Sequence, residues 1–325
     1  TALTGLGMSV GITYGTVEDL NISLGSGDDT FTVASTHANN TVLNTQGGGD
    51  TVHIQTVAGV FLVNTGTGPD TANVRTIDAK TTINTGDDDD TINVGNKAPA
   101  SSSELKGISK ELVINGQLGD DTLNIDDRGN TDPATGQIKT RSPTEVTGFE
   151  MAGLIRHETV EAVNLTAGDA GTTLLIDGTA AYSVTDVWAG DGPDVINVRN
   201  TGGAVNLHLQ SGDDFVNVGS EAPGIDGTLN QIGDLITVYG GTGLDVLNLD
   251  DTSDGQADSG ALTNAKISGF GMGGGVAYTE LESVEVSLGQ GADSVAVTGA
   301  MVGSGTPAVS VLNTGGGSYK VTIDL

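Results

Sequence analysis

Residues 86–94 read Gly86-Asp87-Asp88-Asp89-Asp90-Thr91-Ile92-Asn93-Val94. A glycine-led acidic turn runs into four residues that alternate polar and apolar. Ile92 and Val94 point one way and Thr91 and Asn93 the other, which is the period of two of a β-strand. The unit recurs at Leu24-Gly25-Ser26-Gly27-Asp28-Asp29-Thr30-Phe31, Gly47-Gly48-Gly49-Asp50-Thr51-Val52 and Gly66-Thr67-Gly68-Pro69-Asp70. It returns at Gly119-Asp120-Asp121-Thr122-Leu123, Gly190-Asp191-Gly192-Pro193-Asp194, Ser211-Gly212-Asp213-Asp214-Phe215, Gly241-Thr242-Gly243-Leu244-Asp245 and Gly289-Gln290-Gly291-Ala292-Asp293.

The final Asp stands at 29, 50, 70 and 90, and the pair at 194 and 214 repeats the step of 20. Two short strands and two turns fill such a step, the length of one coil of a β-solenoid. A longer period lies over it. Asp70 and Asp194, Arg75 and Arg199, Ala98-Pro99 and Ala222-Pro223, and Asp121 and Asp245 are each 124 residues apart. A second landmark, Gly5-Leu6-Gly7-Met8, is echoed at Gly148-Phe149-Glu150-Met151 and Gly269-Phe270-Gly271-Met272.

The expected fold is therefore all-β: a right-handed parallel β-solenoid of about 14 coils of roughly 20–22 residues with loop inserts. Parallel stacking at ~4.8 Å per coil gives a rod of roughly 65–70 Å. We expect one continuous solenoid of super-repeats at about residues 1–147, 148–268 and a partial 269–325, a slice of a longer array. Apolar side chains such as Phe31, Val33, Leu123, Ile125, Ile196, Val198, Leu247 and Leu249 are expected to stack inside. Asn73, Asn93, Asn124, Asn197, Asn217 and Asn248 share one outward slot and predict an amide ladder. Residues 101–110 read as a polar loop or helical turn. The inserts at 131–143 and 252–264 are expected to loop out on one face.

Composition narrows the partners. The chain has 42 acids against 12 bases, a net charge of −30, so a phosphate-binding basic face is excluded, and nucleic acid with it. No apolar run reaches the ~18 residues of a membrane span. With 51 glycines, 3% aromatics and no cysteine, the core must be thin and held by repetition.

The turns resemble the calcium-binding nonapeptide of RTX (repeats-in-toxin) proteins, G-G-x-G-x-D-x-U-x. Gly25-Ser26-Gly27-Asp28-Asp29-Thr30-Phe31 and Gly241-Thr242-Gly243-Leu244-Asp245-Val246-Leu247 carry the likeness. The resemblance implies Ca²⁺ held by turn carbonyls and Asp carboxylates between coils of a β-roll. Here the coil is longer than two nonapeptides, and Asp87, Asp88 and Asp89 stand where glycines are expected. An electrostatic argument points the same way. A column of Asp at ~4.8 Å repels by roughly 3.5 kcal/mol per pair at an effective dielectric of 20. Ca²⁺, which takes six to eight oxygens, turns that repulsion into a clamp.

The candidate ligands of multiple structural Ca²⁺ ions are Asp28, Asp29, Asp50, Asp70, Asp88, Asp90, Asp120, Asp121, Asp191, Asp194, Asp213, Asp214, Asp245 and Asp293. A second set is Asp126, Asp127 and Asp132 with Asp250, Asp251, Asp254 and Asp258. One alternative stays open: each Asp caps its own turn through a backbone N–H two residues on.

No catalytic constellation emerges. His37, His53, His157 and His208 do not cluster in sequence, Trp188 is unique, and no Gly-x-Ser-x-Gly, zinc-type His pair or P-loop appears. The expected function is a non-enzymatic, calcium-stabilised structural or adhesive module of a secreted or cell-surface protein. Its expected partners are calcium, other copies of itself or the rest of a longer repeat chain, and cell-surface glycan. A carbohydrate-active β-helix (lyase, epimerase or tailspike-like) and an RTX-like secretion segment of a larger effector are the competing readings.

Overall fold

The computed structural model describes residues 2–4, 8–140, 143–299 and 309–324. Among the described residues there is no helix, and a parallel β-solenoid is formed. Two compact units are present, residues 1–125 with 151–160, and residues 126–150 with 161–325.

In the first unit, strands Thr30–Val33, Thr51–Ile54, Thr71–Val74, Thr91–Val94 and Thr122–Asp126 stack in parallel. Each threonine after the turn Asp lies over the next: Thr30, Thr51, Thr71, Thr91, Thr122. The facing sheet stacks Asp19–Ser23, Asn40–Asn44, Phe61–Thr67, Thr81–Asp87, Glu111–Leu118 and Leu154–Glu158. Burial alternates along most of these strands, with Asn73 buried as well in Thr71–Val74; Ile92 is fully buried and Val94 nearly so, as the period of two requires. Like residues stack on like, so a thin core is filled without large rings.

The expected amide ladder is present: Asn93 Nδ2 donates to Asn73 Oδ1 and Asn124 Nδ2 to Asn93 Oδ1, each at 2.9 Å. Asn217 and Asn248 repeat it in the second unit. A further ladder on the other sheet, through Asn44, Asn64, Asn84 and Asn115, went unremarked in the sequence.

Turn glycines are set by close stacking. Gly66 has φ +112°, and a Cβ there would sit 1.8 Å from the Gln46 carbonyl oxygen of the coil before. No other residue fits.

Two of the three inserts, at 131–143 and 252–264, correct the expectation of loops. Residues 101–110 form turns and bends, without a helical turn. Residues 131–143, of which 141 and 142 lie outside the described residues, contain strand Ala134–Thr140, which pairs antiparallel with Thr144–Gly148. Likewise Ser259–Leu262 pairs antiparallel with Lys266–Gly269. The cause is the landmark. Phe149 and Phe270 are fully buried, and each ring lies over a bare glycine Cα. A Cβ on Gly136 or Gly260 would lie within about 2.2 Å of that ring. Gly148, Phe149 and Glu150 all have positive φ, as do Gly269, Phe270 and Gly271, so the chain reverses there. The first landmark copy falls largely on residues 5–7, outside the described residues.

In the second unit the hairpin shifts the coil by half a turn. The turn at 209–214 leads from the sheet of Val205–His208 to that of Phe215–Val218. The turn at 288–293 leads from the latter sheet, through Ser283–Ser287, back to the former at Ser294–Val297. Asp293 therefore stands outside the column of Asp194, Asp214 and Asp245.

Candidate functional site

The turn aspartates do form columns, and each caps a neighbouring coil where a cap on its own turn was the alternative expected. Each inner carboxylate reaches back to the preceding coil. Asp50 Oδ1 accepts the N–H of Asp29 at 2.8 Å, Asp70 that of Asp50 at 2.7 Å, Asp90 that of Asp70 at 2.7 Å, and Asp121 that of Asp90 at 3.0 Å. In the second unit Asp194 accepts from Thr172 at 2.5 Å, Asp214 from Asp194 at 2.7 Å, and Asp245 from Asp214 at 3.1 Å. The cap is thus on a neighbouring coil, 20–31 residues away, rather than on the turn's own N–H. A hydrogen bond to an ionised acceptor contributes about 1.5–3 kcal/mol, and here it staples coil to coil.

At Asp28, Asp89 and Asp213 the acid before the turn Asp works in the opposite direction. Asp28 Oδ1 accepts Gly49 N–H at 2.8 Å, Asp89 Oδ1 accepts Asp120 N–H at 2.9 Å, and Asp213 Oδ1 accepts Leu244 N–H at 3.0 Å. Asp88 Oδ2 takes Gly68 N–H at 3.0 Å, and Asp191 Oδ1 takes the Ser211 hydroxyl at 3.1 Å. These outer acids, and Asp120 itself, are exposed.

The inner acids are not. Asp50, Asp70, Asp90, Asp121, Asp194, Asp214 and Asp245 are 0–2% exposed. Among the described residues, Oδ2 of Asp50, Asp70, Asp90, Asp194, Asp214 and Asp245 is buried with no hydrogen-bond partner. The Thr65 and Thr85 hydroxyls lie close enough to lower Asp70 and Asp90, while Thr65 Oγ1 donates to the Thr85 carbonyl at 2.5 Å and Thr85 Oγ1 to the Gly116 carbonyl at 2.9 Å. Burial raises the carboxyl of Asp90 to about 7, against the Asp70 N–H that lowers it, with the Asp121 and Asp70 charges adding. Burial likewise pushes Asp194 up to about 8 and Asp245 to about 7, and raises Asp70 and Asp214. A buried carboxylate with a bare oxygen is costly, so it takes up either a proton or a cation.

Asp293 joins a different group. Its Oδ1 accepts the N–H of Asp258 at 2.9 Å, the same back-reaching staple on the other edge of the coil. Asp251, Asp254 and Asp258 offer carboxylate oxygens all within 4.8 Å of one another, a density of acids that defines a metal-sized group. Asp251 and Asp254 are buried. Asp251 Oδ1 accepts Leu229 N–H at 2.9 Å, and Asp254 Oδ2 accepts Asn230 Nδ2 at 2.9 Å. Burial, then the charges of Asp254, Asp258 and Asp293, bring Asp251 up to about 7. Of the second acid set read from sequence, Asp251, Asp254 and Asp258 converge here and Asp250 does not, whereas the counterpart carries Asn130 in place of Asp254 and bonds Asn130 Nδ2 to Asp127 Oδ2 at 3.2 Å.

Other marked residues have structural places. Arg75 Nε donates to the Ala98 carbonyl at 2.8 Å, and Arg199 Nε to that of Ala222 at 2.7 Å. Trp188, His208 and Tyr239 stack on the outer face, with ring centroids 5.0 and 4.7 Å apart. His157 is buried inside strand Leu154–Glu158, neither ring nitrogen has a partner among the described residues, and burial depresses it to about 4. No described helix is long and apolar enough to cross a membrane. No protein-family model matches the chain, and no curated protein matches it in sequence.

Proposed function

We propose that this chain is a calcium-stabilised structural and adhesive module of a secreted or cell-surface protein, without enzymatic activity. The carrying observation is the series of six buried carboxyls, each with one oxygen lacking a partner. They make the solenoid depend on something that neutralises them. The RTX-like turn sequence and the −30 charge favour a hard cation over protons alone. Asp251, Asp254 and Asp258, with Asp293 beside them, supply an all-oxygen donor set that suits Ca²⁺, and the turn carboxylates supply further charge. Bound there, the ion would contribute positive charge and oxygen coordination, cross-linking the 251–258 segment to the following coil.

Isothermal titration with CaCl₂ near neutral pH tests this. Saturable binding that weakens at least about tenfold in Asp254→Asn/Asp258→Asn supports it. An absence of saturable binding overturns it.

A second reading, adhesion through glycans, draws on the outward Trp188–His208–Tyr239 stack. Retardation in glycan-containing gels, lost in Tyr239→Ala, would favour it.

A further inference from the structure

The outer amide series of the second unit ends in a mismatch. Asn217 Nδ2 donates to Asn197 Oδ1 at 2.9 Å, and Asn248 Nδ2 to Asn217 Oδ1 at 3.0 Å. Each Asn gives its N–H to the coil before and offers its oxygen to the coil after. The coil after Asn248 presents Glu285 in that register. An ionised Glu has no hydrogen to give, and Glu285 itself accepts from Asn313 Nδ2 of the following coil, so the Asn248 amide oxygen stands beside a carboxylate where the series needs a donor.

This pair lies in a groove of about 330 Å³ that also takes in Asp250, Asp226, Pro223 and Ile225. Ile225 is 77% exposed. Asp250 fixes the groove's other wall, since its Oδ2 accepts Gly227 N–H at 2.7 Å.

The chain contains its own control. The insert at 95–104 is the counterpart of 219–228, 124 residues earlier, and the same arginine staple holds both. The structural demands are shared, yet the charges are not. Lys97 becomes Glu221, Ser102 becomes Asp226, and Asn164, 121 residues before, becomes Glu285. In the earlier copy Lys97 Nζ donates to the Ser102 carbonyl at 2.9 Å and closes the insert on itself. In the later copy these three changes are toward acid, while Glu104 becomes Thr228, and the insert presents an apolar tip.

We infer that this groove docks a lysine- or arginine-bearing segment of a protein partner. The cationic head would supply the missing donor to Asn248 Oδ1 and sit beside the negative charges of Glu285 and Asp250, whose oxygens already accept from Asn313, Gly227 and Thr252. The aliphatic stem would lie along Ile225 and Pro223. A second copy of this chain is a poor occupant, because 42 acids against 12 bases make copies repel.

Fluorescence anisotropy with a labelled peptide alternating Lys and Ser tests the assignment, against the same peptide with Gln for Lys and with spermine as competitor. At about 150 mM salt, where surface attraction is screened beyond ~8 Å, the Lys peptide should bind and the Gln peptide should not. Glu285→Gln restores a donor to Asn248 and should weaken binding about tenfold. Glu221→Lys/Asp226→Ser/Glu285→Asn should abolish it. Glu18→Gln/Glu150→Gln/Glu158→Gln/Asp324→Asn removes the same four charges from exposed sites elsewhere and should change affinity less than about twofold. Equal loss in both multiple variants, or no loss in Glu285→Gln, would overturn the assignment. So would competition by spermine as strong as that by unlabelled Lys peptide, which would mean an unshaped acidic surface. Ile225→Ser keeps every charge and should still weaken the peptide, so a misfolded triple variant does not remove the test.

Discussion

The N–H of Asp90 donates to Asp121 Oδ1 at 3.0 Å, while one residue earlier the N–H of Asp120 donates back to Asp89 Oδ1 at 2.9 Å. The same exchange joins Asp28-Asp29 to Gly49-Asp50 and Asp213-Asp214 to Leu244-Asp245. Where the later turn carries Pro69 or Pro193 and has no N–H to give, the earlier turn carries Gly49 or Gly171 and has no carboxylate to receive it. The Asp-Asp doublet is therefore a statement about the next coil, and the two members should respond differently to mutation.

Asp90→Ala strands the buried N–H of Asp70 and should cost about 1–3 kcal/mol, read from urea unfolding. Asp89→Ala frees the exposed N–H of Asp120 to water and should cost less than about 1 kcal/mol. Asp90→Asn keeps an acceptor and should stay close to the parent at pH 6. Equal losses in the two alanine variants would mean that the inner staple is no stronger than the outer one.

The pH dependence of the metal-free chain has two limbs. The inner acids are raised from an unfolded value near 3.8 to about 7 in Asp90 and Asp245 and about 8 in Asp194. Their contribution is fully present below the unfolded value and is lost as pH rises through 7–8. His157 runs the other way: lowered from 6.5 to about 4, it favours the folded state above 6.5 and that support is lost as pH falls through 4. The raised acids outnumber the one histidine, so Tm in EDTA should be highest on the order of pH 4 and fall as pH rises toward 8–9. A Tm that rises steadily to pH 9 contradicts this.

His157→Leu removes two buried nitrogens that lack partners. It should stabilise the chain by about 1–3 kcal/mol at pH 5 and flatten the acid limb. Loss of stability at that pH would show that the imidazole is hydrogen-bonded after all.

Much of this architecture is legible from the residues. The Asp steps of 20 fix the coil, alternation at Ile92 and Val94 fixes the inner face, and the Asn slot predicts its ladder. The direction of the carboxylates was not legible, because spacing places Asp50 over Asp29 without saying which amide it will reach. The hairpins were missed for a different reason. Gly136 and Gly260 look like loop glycines until Phe149 and Phe270 are seen to fill the space their missing Cβ leaves. Burial of His157 gave no signal either, since its strand neighbours Arg156 and Glu158 are polar. The convergence of Asp251, Asp254 and Asp258 with Asp293 depends on the half-coil shift that the hairpin makes.

That packing yields its own prediction. Gly136→Ala and Gly260→Ala each push a methyl into a buried ring and should cost at least about 1–3 kcal/mol, seen as a lower urea midpoint. Pairing Gly136→Ala with Phe149→Leu should recover part of the loss; no recovery would mean that the ring is not what the glycine accommodates.

The most direct test of the central claim is the melting temperature by circular dichroism in EDTA and in millimolar CaCl₂, at pH 6 and at pH 8. The account predicts a rise in Tm with calcium at both, larger at pH 8, where more of the inner carboxyls have lost their protons. The same Tm with and without calcium at pH 8 would contradict it and leave protons and backbone amides as the only partners of the buried acids.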